Sequence, residues 1–177
     1  MTAVQDDTAR QAGRRTFEVR SDLSAPAERV WEHATDLAGV NAELMPLMRM
    51  TFPKGAGSLS ADRIQLGERL FRSWLLLFGV VPIDYDDLTI VELQPGHRFL
   101  ERSRMMSASV WEHERVVERT SSTSCRVSDR LSYRPRFAPF GLVLGWLVPR
   151  LFAHRHRRLR RLFGGADGSH ADPSRPC

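Results

Sequence analysis

Two segments late in the chain place ionisable side chains where they could carry out acid–base chemistry. In VWEHERVVE, the alternation of a β-strand puts Trp111, His113 and Arg115 on one face. In VSDRLSYRP, the same alternation puts Asp129 and Tyr133 on one face. The other charged side chains of both segments fall on the opposite faces, so we expect the faces that carry His113 and Asp129 to point inward.

Two interpretations of these residues follow from how the strands would pair. A hairpin turn between them sets Asp129 opposite Arg115 or, after a one-step shift in the turn, opposite His113. An imidazole held in one tautomer by a carboxylate can act as a general acid or base, which gives a catalytic hypothesis for His113, Asp129 and Tyr133. The alternative is that Asp129 is a structural charge paired with Arg115, as buried charges normally are. We favour the structural alternative.

The element that must cover these strands is the stretch from Pro139 to Phe163. Its apolar residues recur at spacings of three and four, which indicates one stripe of an α-helix. Pro139 suits the first turn of a helix, and Gly164 suits the position after its end. Pro149 lies inside the pattern and predicts a kink or a short break there.

The preceding segments predict a strand, two short helices and about six more strands. A strand begins near Thr16, and Ser24, followed by Pro26 and Glu28, predicts the capped start of a helix. After Pro46, alternating segments joined by short turns favour an antiparallel meander. The order predicts an α+β fold, in which a curved antiparallel sheet of about seven strands wraps around one long C-terminal helix.

Length and composition exclude several classes of protein. The 177 residues suit a single domain over 16–163, between polar segments 1–15 and 164–177 that predict disorder. The sequence contains no run long enough to cross a membrane, no secretion signal and no disulfide framework, which favours a cytoplasmic protein. It also lacks a glycine-rich phosphate loop and a nucleophile elbow. The oligomeric state stays open between monomer and homodimer.

Several short segments resemble the helix-grip proteins of the START/Bet v 1 superfamily, in particular its bacterial polyketide cyclase/dehydrase-like, or SRPBCC, branch. They read SAPAERVWEHATDL, ELQPGHRFLE, VWEHERVVE, VSDRLSYRPRF and LFAHRHRRLRRLF. The resemblance implies a deep, mostly apolar cavity between the sheet and the last helix. Members bind lipids, sterols, polyketides or other hydrophobic molecules, and some cyclise or dehydrate them.

On this basis the expected function is to bind a hydrophobic or amphipathic small molecule, without a cofactor or a metal. The alternative is a cyclase- or aromatase-like lyase that uses the cavity His, Asp, Tyr and Arg side chains. An arginine in such a cavity could hold a carboxylate or phenolate of the ligand. The residues expected to contact the ligand are Trp74, Tyr85, Trp111, Arg115, Leu131, Leu144, Leu147, Val148, Leu151 and Phe152.

The end of the predicted long helix is strongly basic. No acid occurs between Arg130 and Ala166. A solvated basic face is the simplest interpretation, because cations are favoured at a helix C-terminus. The alternative is a peripheral contact with acidic lipid headgroups; nucleic acid is disfavoured because no recognised motif is present. His154 and His156 lie two apart on a helix and point to different faces, which argues against a metal site. The arginines available for the lipid contact are Arg157, Arg158, Arg160 and Arg161.

Overall fold

The computed structural model describes residues 13–54 and 64–165. The disorder predicted for the two ends of the chain therefore falls mostly on residues outside the described part. The strands are β1 (Arg15–Leu23), β2 (Met48–Met50), β3 (Arg69–Leu77), β4 (Val81–Gln94), β5 (Arg98–Met105), β6 (Ala108–Arg119) and β7 (Cys125–Pro135). The helices are α1 (Ala27–Thr35), α2 (Leu37–Leu44) and α3 (Ala138–Phe163).

The seven strands form one antiparallel sheet in the order β1-β7-β6-β5-β4-β3-β2. Each hairpin pairs strands that follow one another in sequence, and β1 closes the far edge against β7. Helix α3 lies across the inner face, where it contacts β1, β7 and α2. The predicted α+β helix-grip architecture, with two short helices after the first strand, is confirmed.

The pairing of β6 with β7 settles which residues face one another. Arg115 is opposite Asp129, and Trp111 is opposite Tyr133. This is the first of the two registers that the sequence allowed. His113 is opposite Leu131 and lies beside Asp129 on the same inner face.

The starts of the two short helices differ from the sequence prediction. Ser24 does not cap α1, which begins at Ala27 with Pro26 at the N-cap and without a side-chain cap. The Ser24 amide instead donates to the Gly164 carbonyl at 3.2 Å, so the end of α3 is held against the end of β1. Asp36 supplies the cap that the prediction missed, because its carboxylate accepts from the Gly39 amide at 3.0 Å and starts α2.

Helix α3 continues through Pro149, so the predicted short break is wrong. A proline inside a helix removes one backbone hydrogen bond. Val148 and Leu151, on either side of it, are buried against the sheet, and this packing offsets the missing hydrogen bond. Among the described residues, no helix is long and apolar enough to cross a membrane.

Two apolar clusters lie beneath α3. The larger one surrounds the middle of the helix, and the smaller one surrounds Leu159 near its end, together with Leu23, Val30 and Val127. Leu159 is fully buried. The smaller cluster therefore fixes the C-terminal half of α3 to β1, β7 and α1.

Replacing Leu159 with Ala should lower the free energy of unfolding by about 2–5 kcal/mol, because the truncated side chain leaves a cavity in the smaller cluster. Urea unfolding followed by circular dichroism measures this change. Leu142→Ala is the matched control: Leu142 is 78% exposed on the same helix, so its loss should cost about 0.5 kcal/mol or less. Equal effects of the two variants would contradict the assignment of the buried face of α3.

Candidate functional site

A cavity of about 120 Å³ lies between the inner face of the sheet, α3 and α2. Most of its wall is apolar. The apolar lining from α3 consists of Leu144, Leu147, Val148, Leu151 and Phe152. The sheet contributes Leu75, Ile83, Leu88, Ile90, Phe99, Met105 and Trp111, and the polar side chains of the wall are Asp84, Asp86, Glu101, His113 and Arg155.

The five α3 residues expected from the sequence all line the cavity, as do Trp111 and His113. Their placement follows from the two periodicities that the sequence shows. Every third or fourth residue of α3 faces the sheet, and every second residue of β6 faces the helix. Whether these residues contact a ligand stays a prediction.

Trp74 and Tyr85 were expected in the cavity, and the structure corrects this. The two residues are paired across β3 and β4, with ring centroids 6.1 Å apart, and Trp74 is 47% exposed. The guanidinium of Arg72 lies 4.2 Å above the Tyr85 ring on the same outer face. Their neighbours Leu75 and Asp84 line the cavity instead. The set of alternate residues expected to face inward on β3 and β4 was therefore shifted by one residue.

Arg115, Leu131, Asp129 and Tyr133 are buried, but they are not among the residues that line the cavity. The Tyr133 hydroxyl donates to the Leu144 carbonyl at 3.4 Å, so it is directed at the helix backbone. The structure brings His113 and Asp129 together but leaves Tyr133 apart from them. The predicted three-residue catalytic group is therefore not assembled here.

Arg115 is the centre of a fully buried network of charges. Its Nη1 and Nη2 donate to the two oxygens of Glu43 at 2.9 and 3.0 Å. Its Nε and Nη2 donate to the two oxygens of Asp129, both at 2.7 Å. Arg155 on α3 adds a bond from Nε to Glu43 at 2.9 Å. The two arginines and two carboxylates are balanced in charge and tie α2, β6, β7 and α3 together.

Two histidines extend this network across the sheet. His113 Nε2 lies 2.8 Å from Asp129 Oδ1, and its Nδ1 lies 3.5 Å from Glu101 Oε2. His156 Nε2 lies 2.9 Å from Asp129 Oδ2, and its Nδ1 lies 2.8 Å from Ser21 Oγ. A continuous polar path therefore runs from Glu101, in the cavity wall, to β1.

Sequence reasoning missed Glu43 and His156 as partners of Asp129 and Arg115. Glu43 is 72 residues from Arg115, and a single sequence offers no pattern that predicts such a contact. For α3 the sequence did contain a signal: the charged residue Arg155 lies within the apolar stripe of that helix. A charged residue in a buried stripe needs a buried partner of opposite charge.

The pKa values of the network follow from burial and from opposite charges. Burial favours the neutral carboxyl group in Asp129, but the charge and hydrogen bonds of Arg115 hold its pKa well below the usual range. The pKa of Glu43 is lowered against the effect of burial by Arg115 and Arg155. Burial also opposes the charged form of His113, yet the Asp129 charge raises its pKa, with Glu101 adding to the effect.

The acids of the cavity wall differ in how well they are paired. Asp84 accepts from the Tyr85 amide at 2.8 Å, from the Met106 amide at 2.9 Å and from the Ser107 hydroxyl. Asp86 Oδ1 has no hydrogen-bond partner among the described residues. Burial, and then the nearby charge of Glu101, raise the pKa of Asp86 well above its usual range. Within 13–54 and 64–165, no three His, Cys, Asp or Glu side chains are grouped to hold a metal ion.

The basic end of α3 is partly bound to the protein itself. Arg158 Nε donates to the Ala42 carbonyl at 3.1 Å, and Arg160 Nη1 donates to Ser21 Oγ at 2.8 Å. Arg157 and Arg161 are exposed. Of the four arginines proposed for a lipid contact, two are therefore exposed and two bind groups of the protein itself.

Comparisons with known proteins agree with this geometry. A family model described as a domain of unknown function, DUF8410, matches residues 21–163. A structure from Chromobacterium violaceum superposes with a TM-score of 0.60 at 20% identity, over 85% of this chain and 99% of that one. The Zhui aromatase/cyclase from Streptomyces sp. R1128 gives 0.62 at 15% identity, over 86% and 99%. A START superfamily protein from Mycobacterium smegmatis gives 0.57 at 10% identity, over 83% and 98%.

At these identities the structural similarity shows the fold alone. That fold is shared with a START superfamily protein and an aromatase/cyclase, so the fold implied by the short sequence segments is confirmed. No curated protein sequence matches the chain.

Replacing Arg115 with Met should lower the free energy of unfolding by about 3–5 kcal/mol, because Glu43 and Asp129 would be left buried without their shared counter-charge. Chemical denaturation measures the effect. Arg119→Met, on the same strand, removes only an exposed ion pair with Glu28 and should change stability far less. A small effect at Arg115 would show that the buried carboxylates find other partners.

The imidazole of His113 should titrate above its usual value of 6.5 in the folded protein. Its stabilising contribution is then fully present below about pH 6.5 and is lost as the pH rises through the raised folded value. NMR titration of the ring should show a lower pKa in Asp129→Asn and in Glu101→Gln. Asp22→Asn removes an exposed carboxylate and serves as the control. An unchanged His113 pKa in both test variants would contradict the assignment.

Proposed function

The chain belongs to the family described as DUF8410, and we propose that it binds a hydrophobic or amphipathic small molecule in the cavity between the sheet and α3. The observation that carries this proposal is an apolar cavity with a few polar side chains on one wall, which is the usual composition of a small-molecule site. The fold shared with START proteins and aromatase/cyclases supports the same class of ligand.

The size of the cavity limits what enters without a rearrangement. A volume of about 120 Å³ is close to that of cavities that hold one aromatic ring. A lipid or a polyketide needs more space, which requires displacement of lining side chains or of α2. The lining includes Met48, Met50 and Met105, whose unbranched side chains adapt to different shapes.

A lyase of the cyclase type is the second candidate, because Asp86, Glu101 and His113 meet on adjacent strands of one wall. His113 is a poor general base in this arrangement. Both of its ring nitrogens face carboxylates, which raise its pKa and favour the protonated ring over the neutral ring that a general base requires. Binding without turnover therefore agrees better with the geometry than catalysis through His113.

Contact with an acidic membrane through the end of α3 is a weaker candidate. The apolar side of this end is already packed on the sheet through Leu159, and Arg158 and Arg160 make contacts within the protein. A peripheral helix needs an exposed apolar face beside its basic one. The arrangement thus favours a solvated basic surface.

Native mass spectrometry of the purified protein, followed by extraction and identification of any bound molecule, tests the proposal. Val148→Phe should weaken binding of the molecule in the cavity about tenfold or more, because the larger ring fills the space beside α3. Val143→Phe is the matched control, since Val143 is 55% exposed on the same helix. Should Val148→Phe be unstable, Ala34→Leu narrows the cavity from α1.

Two results would count against binding. The first is a protein that carries no molecule and gains no thermal stability from a panel of apolar compounds. The second is equal occupancy in Val148→Phe, Ala34→Leu and the unaltered protein. A bound molecule that is chemically converted on incubation would favour the lyase.

A further inference from the structure

We propose that the ligand of the cavity carries a protonated amine, and that Asp86 binds this ammonium group with Glu101 beside it. The inference rests on the proposed function and names the chemical class of its ligand: a small apolar body, about one ring in size, with an attached cationic nitrogen. Nothing in the family description or in the related structures assigns such a site.

The first observation is the unpaired oxygen of Asp86. The side chain lines the cavity and is only 5% exposed, yet Oδ1 has no hydrogen-bond partner among the described residues. Its neighbour Asp84, two residues earlier and on the same face, accepts three hydrogen bonds. A buried acceptor without a donor is costly, so a donor supplied by the ligand would stabilise the complex.

The second observation is the distribution of buried charge. Five carboxyl groups occupy the inner side of the sheet and α2, whereas the described part of this region contains two arginines. Both arginines are committed to Glu43, and Arg115 also holds Asp129. Asp86 and Glu101 have no guanidinium partner in this set. The five carboxyl groups are Glu43, Asp84, Asp86, Glu101 and Asp129.

His113 does not serve as a counter-charge for both of these acids. His113 lies 3.5 Å from Glu101 through Nδ1, but its Nε2 is bound to Asp129. Glu101 accepts from the Ser103 hydroxyl at 2.7 Å and also shares a side-chain hydrogen bond with Asp86. The two ring nitrogens of His113 therefore face Asp129 and Glu101, and Oδ1 of Asp86 still lacks a donor among the described residues.

These conditions select the charge of a ligand. A carboxylate or a phenolate would be repelled by Glu101 and would further favour the neutral form of Asp86, whose pKa burial and Glu101 already raise. A positive charge beside Asp86 would have the opposite effect and favour its carboxylate form. An ammonium group instead supplies both a positive charge and several N–H donors to the unpaired oxygen. The wall around it contains Phe99, Trp111 and Phe152, whose ring faces also attract cations.

The test uses four single-ring probes that differ in one group: benzylamine, ethylbenzene, benzaldehyde and benzoate. The readout is the NMR signal of the ¹³C-labelled methyl groups of Met48, Met50 and Met105, which line the cavity. Benzylamine should bind about tenfold or more tightly than ethylbenzene, because a hydrogen bond to a charged group contributes more than a neutral contact.

Asp86→Asn should weaken benzylamine binding about tenfold or more and leave ethylbenzene binding nearly unchanged. Asp87→Asn is the matched control: the same substitution one residue along β4 falls on the outer face, where Asp87 pairs with Arg72. Glu101→Gln is the second test variant and should also weaken benzylamine binding, which keeps the proposal testable if Asp86→Asn does not fold.

The outcomes separate the two proposals. Two results would overturn the amine site and leave the cavity as a binding site. The first is that ethylbenzene binds as tightly as benzylamine. The second is that Asp86→Asn and Glu101→Gln bind benzylamine as tightly as the unaltered protein does. A preference for benzaldehyde or benzoate would also overturn it, since Asp86 would then act as a neutral donor or not at all. If none of the four probes reaches the methionine signals, the amine site fails, and the proposed function is decided separately by whether mass spectrometry finds a bound molecule.

Discussion

The paired contacts of Arg115 are the interaction on which the rest of the structure depends. One guanidinium group binds both oxygens of Glu43 and both oxygens of Asp129 with full burial. Removing such charges from water is costly, and the cost is recovered only when nearly every donor and acceptor is satisfied in good geometry. The network meets this condition with the help of Arg155 and His156, so its members hold one another in place.

This network also explains how a cavity persists inside a small domain. Apolar contacts alone have no preferred direction and would favour closing the space between α3 and the sheet. The bonds from Arg155 and His156 to Glu43 and Asp129 are directional, and they fix the height and rotation of α3 where it crosses β7. The cavity lies beside this fixed point, where Leu144 and Val148 face the sheet.

What the sequence predicts well depends on the range of the interaction. Local periodicity located α3 and the inward face of β6. The short turn limited Asp129 to a position opposite Arg115 or His113, and the structure has the first of these. The sequence prediction placed Trp74 and Tyr85 on the wrong face of β3 and β4, because register shifts interrupt the pairing of these strands. Such bulges move side chains to the other face without leaving a clear pattern in the sequence.

The contacts that complete the network lie beyond local patterns altogether. Glu43 joins Arg115 and Arg155 over 72 and 112 residues, and His156 joins Ser21 over 135. A chain with a buried Arg115 and Asp129 requires partners of this kind, but the requirement does not say which residues they are. Tertiary structure alone brings them together, and in doing so it turns His113 toward Asp129.

The same arrangement decides where chemistry can occur in the cavity. Each carboxylate that belongs to the network is fully paired, so Asp129 and Glu43 serve stability and are closed to a ligand. His113 lies between the network and the cavity wall: its Nε2 contacts Asp129 and its Nδ1 faces Glu101. Only Asp86 combines a place in the cavity wall with an oxygen that no described residue satisfies. Specificity in this domain is therefore expected to depend on the acids of β4 and β5, and not on the histidine–aspartate pair that stands out in the sequence.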